Sequence, residues 1–444
     1  MTLADNHARQ CATLVSEFEM ARIRGERIGL RKSTSNLFRQ RVTRGKRLVN
    51  VSGFDRVLKI DPQRMTADVE GMITYAALVD ETLKFGLLPA VVPQLKTITV
   101  GGAVSGLGIE SSSFKFGLVH ETVEEMEILL GDGRLLTCSC RENPDLFFGF
   151  PNSYGTLGYA LRLTIRLIPA KPYVHLKHTR FSDPETYFAR VAGLCEKGTL
   201  GYPNMDYLDG TIFSRDEMYL TEGQFVPEAA RVSDYTYMDI YYRSIQQKPD
   251  DWLTAKDYIW RWDTDWFWCS KHFHVQTPVV RRLAKWGLNS RTYQRIMRFS
   301  YKVLPDFGGT ESVIQDVDIP ITSAPEFFDF LFSEIGITPV WMCPFKTGDA
   351  GKTWDLSPLD PVKLYVNFGF WDVILSSHEK GYFNRKIEEK TMELGGAKGL
   401  YSSAWYDEPT FWSIYDQERY TELKHSYDPQ GMFPDLYSKC VRRH

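Results

Sequence analysis

The 444-residue chain lacks any run of about 18 uncharged apolar residues, so no membrane-spanning helix is expected. The stretch Met1 to Gln10 is polar and has no apolar signal core, so no secretory leader is expected either. Cysteine is sparse: Cys11, Cys138, Cys140, Cys195, Cys269, Cys343 and Cys440 lie far apart or without C-x-x-C spacing. An odd, scattered set argues against a disulfide framework and fits a reducing, cytoplasmic compartment with buried or idle thiols. His272 and His274 form an isolated H-x-H without a nearby Cys or carboxylate cluster, so no metal site is expected. A net charge of only -3 argues against disorder and weakens a nucleic-acid reading, which no motif supports. Internal repeats and low-complexity tracts are also missing.

What is present is the composition of a globular protein, with 43% apolar and 25% charged residues and a length that suits two or three domains. Aromatics reach 14% and crowd between Tyr235 and Trp268. They suit a core or a flat apolar ligand pocket. Arg22 to Arg47 holds ten basic residues and the single acid Glu26. Such a block binds nucleic acid, an anionic membrane or a phosphorylated cofactor. In Pro278 to Lys302 the cations alternate with Leu283, Trp286, Leu288, Ile296, Met297 and Phe299. This stretch reads as a basic amphipathic surface, either lying peripherally on an anionic bilayer or simply solvated.

Apolar spacing predicts helices over His7–Arg24, Thr74–Phe85, Pro184–Lys197, Ala324–Ile335 and Phe383–Leu394. Strand-forming runs are Arg47–Phe54, Val57–Ile60, Thr66–Glu70, Arg134–Cys138, Leu161–Ile168, Tyr207–Leu220 and Val362–Phe370. Val123–Leu130 suits helix or strand, and Gly131-Asp132-Gly133 marks a hairpin. Pro169 and Pro172 mark a boundary. Thr97 to Gly117 reads as loop. Together these elements predict an α+β fold.

The strongest chemical signal is Thr99-Val100-Gly101-Gly102-Ala103-Val104-Ser105-Gly106-Leu107-Gly108-Ile109-Glu110-Ser111-Ser112. Glycines allow a ligand to approach the main chain, and successive N–H groups form an anion site suited to pyrophosphate. The spacing is not the G-x-G-x-x-G dinucleotide fingerprint. Downstream come Gly117, then Asn143 to Phe148, then Gly155-Thr156-Leu157-Gly158 and the strand ending Ile168-Pro169-Ala170-Lys171.

This ordered series resembles the FAD-binding domain of the vanillyl-alcohol oxidase and p-cresol methylhydroxylase superfamily, and within it the delta(24)-sterol reductase (Diminuto-like) branch. The likeness continues in Trp341-Met342-Cys343-Pro344-Phe345, Leu400-Tyr401, Phe411-Trp412 and the tail from Met432 to His444. It implies an FAD-binding domain of two α+β subdomains over residues 1–170, an α+β substrate cap over 171–400, and a segment 401–444 packing back near the flavin. It further implies that Arg31 and Ser33 lie in a loop facing the pyrophosphate. No His occurs in Arg31 to Leu37, so FAD is expected to be non-covalent. His120 is expected to be an ordinary hydrogen-bonded residue rather than a flavin attachment point.

The resemblance implies reduction of an isolated carbon–carbon double bond in a sterol or other isoprenoid lipid, with NADPH as electron donor. Such chemistry needs an apolar groove and one proton donor. Tyr401 is the first candidate donor and Tyr365 the second, and each also suits a core position. Glu110 is expected to bond N–H groups of its own loop. The sterol reductases carry two histidines where this chain has Trp260-Arg261-Trp262-Asp263-Thr264-Asp265, which implies a more apolar pocket with fewer titratable donors. Two other expectations stay open: an FAD-dependent alcohol or sugar oxidase or dehydrogenase, and a non-catalytic flavin-fold binding protein.

Overall fold

Three sheets organise the chain. The computed structural model describes residues 2–442 except 33, 35, 36, 40–43, 199–204, 294, 297–308 and 348–350. β1 (Arg27–Arg31) and β2 (Lys46–Asn50) form a parallel pair. An antiparallel sheet follows from β3 (Val57–Asp61), β4 (Thr66–Glu70), β5 (Leu87–Pro89), β6 (Val123–Leu130), β7 (Leu135–Ser139) and β8 (Gly158–Pro169). Its order is β3-β4-β8-β6-β7, with β5 also on β8. The third sheet comprises β9 (Tyr173–Phe181), β10 (Tyr207–Ser214), β11 (Glu217–Val226), β12 (Asp250–Thr254), β13 (Thr310–Pro320), β14 (Val340–Phe345), β15 (Tyr365–Leu375) and β16 (Ala397–Lys398). It is antiparallel, ordered β12-β9-β11-β10-β14-β15-β13-β16. The fold is therefore α+β, and the change of sheet falls between Pro169 and Tyr173.

Alternation along the strands makes the third sheet two-faced, because successive side chains point to opposite sides. Val366, Phe368 and Phe370 of β15 join Val313, Val317 and Ile319 of β13 in one core. The helices Pro184–Gly198, Ala324–Phe330 and Tyr382–Glu393 cover that face through Tyr187, Phe188, Phe327, Phe328 and Ile387. The intervening residues, among them Asp316, Asp318, Trp341, Cys343, Asn367 and Trp371, occupy the opposite face. The core there includes Trp341, Cys343, residues of the second sheet such as Val69 and Leu163, and Val104 of the helix Val100–Ser105.

The chain ends tie onto the first sheets. The helix Leu3–Ile23 begins with a Thr2–Asp5 capping box and packs Leu14, Phe18 and Ala21 with Ile28, Val49 and Phe433. The helices Glu408–Ile414, Gln417–Tyr427 and Leu436–Cys440 return to the same region. There Lys424 Nζ donates to the carbonyl of Thr156 at 2.7 Å.

Two expected elements need correction. Thr97–Gly117 is not all loop, since Val100–Ser105 and Ser113–Phe116 are short helices. Thr99 caps the first through its Oγ1 to the Gly102 N–H, and burial of Val100, Ala103 and Val104 outweighs the weak helix propensity of two glycines. Tyr207–Leu220 is not one strand but the hairpin β10–β11, turned at Arg215-Asp216, where Ser214 Oγ donates to Asp216 Oδ1. Strand propensity on both sides hid that turn.

Candidate functional site

A groove runs between β1, the helix Val100–Ser105, β8 and the C-terminal helix. Its lining includes Gly29, Gly101, Gly102, Gly155 and Gly158, and four cations, Lys32, Arg39, Lys46 and Lys439, with no carboxylate among the described lining residues. Two glycines show why the main chain can lie so close here. A Cβ on Gly71 would sit 2.0 Å from the Ala160 carbonyl oxygen, so the loop after β4 can cross β8 only as glycine. Gly155 has φ +70°, the left-handed region, which turns the chain into β8.

The groove gathers positive charge. Lys439 donates to the carbonyls of Tyr154 and Gly155. Its pKa falls well below the usual lysine range, because burial disfavours the ammonium and Arg39, Lys46 and Lys32 repel it, though Cys440 acts the other way. Arg39 in turn donates to the carbonyls of Leu400 and Lys439, at 3.1 and 2.8 Å, and lies over the Tyr154 ring. Like charges held together at a glycine-lined wall form a site for a polyanion such as a pyrophosphate.

A second cluster lies on the polar face of the third sheet. Asp316 of β13 pairs in register with Gly369 of β15, whose missing side chain leaves room above the ladder. Asp316 faces Tyr401, each shifting the other's ionisation, and the Tyr401 hydroxyl accepts from Trp371 Nε1 at 3.2 Å. Burial raises the Asp316 carboxyl to about 7 against the smaller opposing effect of the Tyr401 hydroxyl, with Asp318 adding repulsion. Asp318 is likewise raised to about 7 by burial, against the bond from Asn367. Rings surround this acid–phenol pair. Phe38 lies 5.7 Å from Tyr401 and stacks on Trp266 at 5.6 Å. Trp371 lies 4.3 Å from Phe267, which stacks on Trp262 at 4.9 Å.

Residues 7–139 match the family model described as an FAD binding domain. The chain carries an FAD-binding domain. Its glycine groove and four cations are a donor set that suits the pyrophosphate of that cofactor. The chain is similar to the delta(24)-sterol reductase of Mus musculus, 26% identical over 342 residues, covering 71% of this chain and 62% of that enzyme. The delta(24)-sterol reductase of Arabidopsis thaliana is 24% identical over 433 residues, covering 89% of this chain and 76% of the plant enzyme. A shorter likeness, 33% over 99 residues, covers 22% of this chain and 18% of cytokinin dehydrogenase 6 of Oryza sativa subsp. japonica. The alignments thus span less than two thirds of the mouse enzyme's length.

Within the FAD-binding domain the expected cofactor residues divide. Thr99, Gly101, Gly102, Ser105, Gly155 and Gly158 line the groove. The first-turn N–H groups of Val100, Gly101 and Gly102 are taken by Ile73 O, Gly71 O and Thr99 Oγ1, so these glycines act there through close packing. Val100, Ala103, Val104 and Leu157 are core. Arg31 ends β1 at the surface, and Ser33 lies outside the described residues. Gly106, Gly108, Ile109 and Gly117 lie beyond the groove lining. A Cβ on Gly117 would meet Glu121.

Glu110, Ser111 and Ser112 do another job. Glu110 Oε1 accepts from Ser111 Oγ at 2.7 Å and from Arg261 Nη2 at 3.0 Å. Arg261 also donates to Asp209 of β10 at 2.7 Å, and Ser111 Oγ shares a bond with the Tyr258 hydroxyl. Ser112 Oγ donates to the Ala90 carbonyl. Glu110 therefore joins the FAD-binding domain to the third sheet rather than bonding only its own loop. Tyr365 is remote from Tyr401: it stacks on Phe345 and its hydroxyl accepts from the Asp360 N–H. His120 corrects another expectation, since neither ring nitrogen has a hydrogen-bond partner among the described residues. It packs edge-on to Trp354, and burial lowers its pKa to about 3. Asp316, Lys439, Arg39 and Gly71 were missed in the sequence because each gains its meaning only from residues distant along the chain. No helix among the described residues is long and apolar enough to cross a membrane. His272 pairs with Asp372 at 3.1 Å. One trio, His7, Cys11 and Glu127, has ligand atoms close enough for a metal, but Glu70 and Glu127 already bond both His7 nitrogens.

Proposed function

We propose that this protein is an FAD-dependent reductase that saturates an isolated carbon–carbon double bond in a sterol or other isoprenoid lipid, with NADPH as electron donor. The observation that carries this reading is the half-buried Asp316–Tyr401 pair within an aromatic wall. Lys32, Arg39, Lys46 and Lys439 would hold the FAD pyrophosphate, and Gly101, Gly102 and Gly155 would let it approach. When bound, FAD supplies the two-electron redox chemistry.

The chain's own residues supply shape and the proton. Phe38, Trp266, Phe267 and Trp371 offer flat apolar surface, which suits a hydrocarbon and excludes water. Saturating the double bond adds a hydride to one carbon and a proton to its neighbour. The Tyr401 O–H breaks as the new C–H bond forms, and the Asp316 carboxyl proton moves to the phenolate oxygen. A carboxyl raised to about 7 holds that proton near neutral pH, as general acid catalysis requires. Asp316 is on this reading a positioning and recharging group, and Tyr401 the donor.

The test is anaerobic mixing of the yellow holoprotein with NADPH and then with desmosterol, following the flavin absorbance. Bleaching by NADPH and recovery with the alkene is the expected result. Bleaching only by an alcohol or sugar would overturn it in favour of an oxidase or dehydrogenase.

A further inference from the structure

The helix Pro278–Leu283 is amphipathic in the wrong sense for a globular surface. Its arginine points inward and its apolar residues point outward. Arg281 is 1% exposed. Its guanidinium donates to Asp265 Oδ1 and Oδ2 at 2.7 and 2.9 Å and to the carbonyls of Tyr237 and Asp239. Val279, Leu283 and Trp286, spaced i, i+4 and i+7, are 70%, 80% and 91% exposed. A tryptophan left almost wholly in water, beside two aliphatic residues, is an exposed apolar patch that needs a partner. The buried ion pair holds the segment to the body, so the patch is presented on a fixed support.

The charge around the patch selects the partner. From Gln276 to Pro305 the sequence contains no Asp or Glu. Arg282, Lys285, Arg291 and Arg295 are exposed, and none enters an ion pair among the described residues. Lys285 lies over the Tyr237 ring, which leaves its ammonium at the surface. An apolar stripe with an indole, rimmed only by cations, is the composition that seats at the boundary of an anionic bilayer. A protein partner would also need acidic groups to match, but the stripe is only three side chains long, and an acyl boundary accommodates so small a patch.

We propose that the segment Pro278–Gly287 docks this protein peripherally on an anionic lipid bilayer, with Val279, Leu283 and Trp286 inserted and Arg282 and Lys285 on the headgroups. The chain just after the segment leads towards the proposed reaction site. Tyr293, six residues after the segment's end, stacks on Trp266 at 5.9 Å, and Trp266 stacks on Phe38, which lies edge-on to Tyr401. A run of aromatic rings from Tyr293 therefore leads to Tyr401 of the acid–phenol pair. The docking itself rests on the exposed patch and holds whichever substrate is reduced.

The experiment is co-sedimentation of the FAD-loaded protein with phosphatidylcholine vesicles, with and without about 30% phosphatidylserine. Binding is expected only with phosphatidylserine, and about 0.5 M salt should weaken it strongly by screening the cations. Trp286→Ala and Leu283→Ser should each weaken partitioning by roughly tenfold, since each removes a large apolar group from the lipid. Both residues are exposed, so flavin absorbance and thermal melting should stay unchanged. Arg282→Gln with Lys285→Gln should remove the preference for phosphatidylserine. Absence of wild-type binding, or equal binding by Trp286→Ala, overturns the proposal. A wild-type dimer that Trp286→Ala converts to monomer, without vesicle binding, overturns it in favour of a second copy as the occupant.

Discussion

Asp316 and Tyr401 illustrate how one residue's chemistry depends on what is stacked around it. An aspartate in water is ionised at neutral pH, whereas burial raises Asp316 to about 7. If its protonated form recharges Tyr401, alkene reduction should fall as pH rises through about 7. Asp316→Asn should flatten that limb, a readout that a merely structural role would not move. Tyr401→Phe should lower the alkene half-reaction by roughly 100-fold or more while leaving bleaching by NADPH intact. Stopped-flow traces from pH 5 to 9 check both. Tyr401 was a candidate in the sequence because Leu400-Tyr401 belongs to the series that resembles the sterol reductase branch and a phenol can donate in a dry pocket. Asp316 was not, since an aspartate on an alternating strand looks solvated until the second layer is known to cover it.

At the scale of elements, the same contrast recurs in helices. The helix Leu3–Ile23 was legible from its apolar spacing, but its polar anchor was not. His7 bonds Glu70 at 2.8 Å and Glu127 at 2.9 Å, from β4 and β6. Burial opposes its charge, yet bonds with Cys11, Glu127 and Glu70 outweigh that and raise the pKa to about 11 from the ordinary 6.5. A raised folded pKa stabilises fully below the unfolded value and is lost as pH climbs through the folded value. The stability difference between wild type and His7→Ala should therefore be largest at pH 6 and shrink towards pH 11, as measured by urea unfolding. The glycine segment shows the reverse limit. Its glycines were visible at once, but whether their N–H groups face a ligand or the protein was decided by Ile73 and Gly71, which accept two of those bonds.

For the whole molecule, the decisive feature is that both chain ends converge on the glycine groove. Lys439 stands about four hundred residues from Arg39 in sequence yet donates to the turn at Tyr154 and Gly155. Lys439→Met should weaken FAD binding roughly 10- to 100-fold, the scale of losing a hydrogen bond with a charged partner. Flavin fluorescence titration of the apoprotein measures this. Unchanged affinity would remove Lys439 from the cofactor site. The Arg261 bridge between Glu110 and Asp209 plays the matching role between the FAD-binding domain and the third sheet.

The α+β class and the FAD-binding region were determined by local pattern: strand alternation, glycine spacing and flanking motifs, all within reach along the chain. The cation cluster, the acid beneath Tyr401, the partner of Glu110 and the outward turn of Val279, Leu283 and Trp286 were decided only in three dimensions. Charge and burial act through space, so a residue's pKa, partners and exposure depend on neighbours that the order of amino acids does not place beside it.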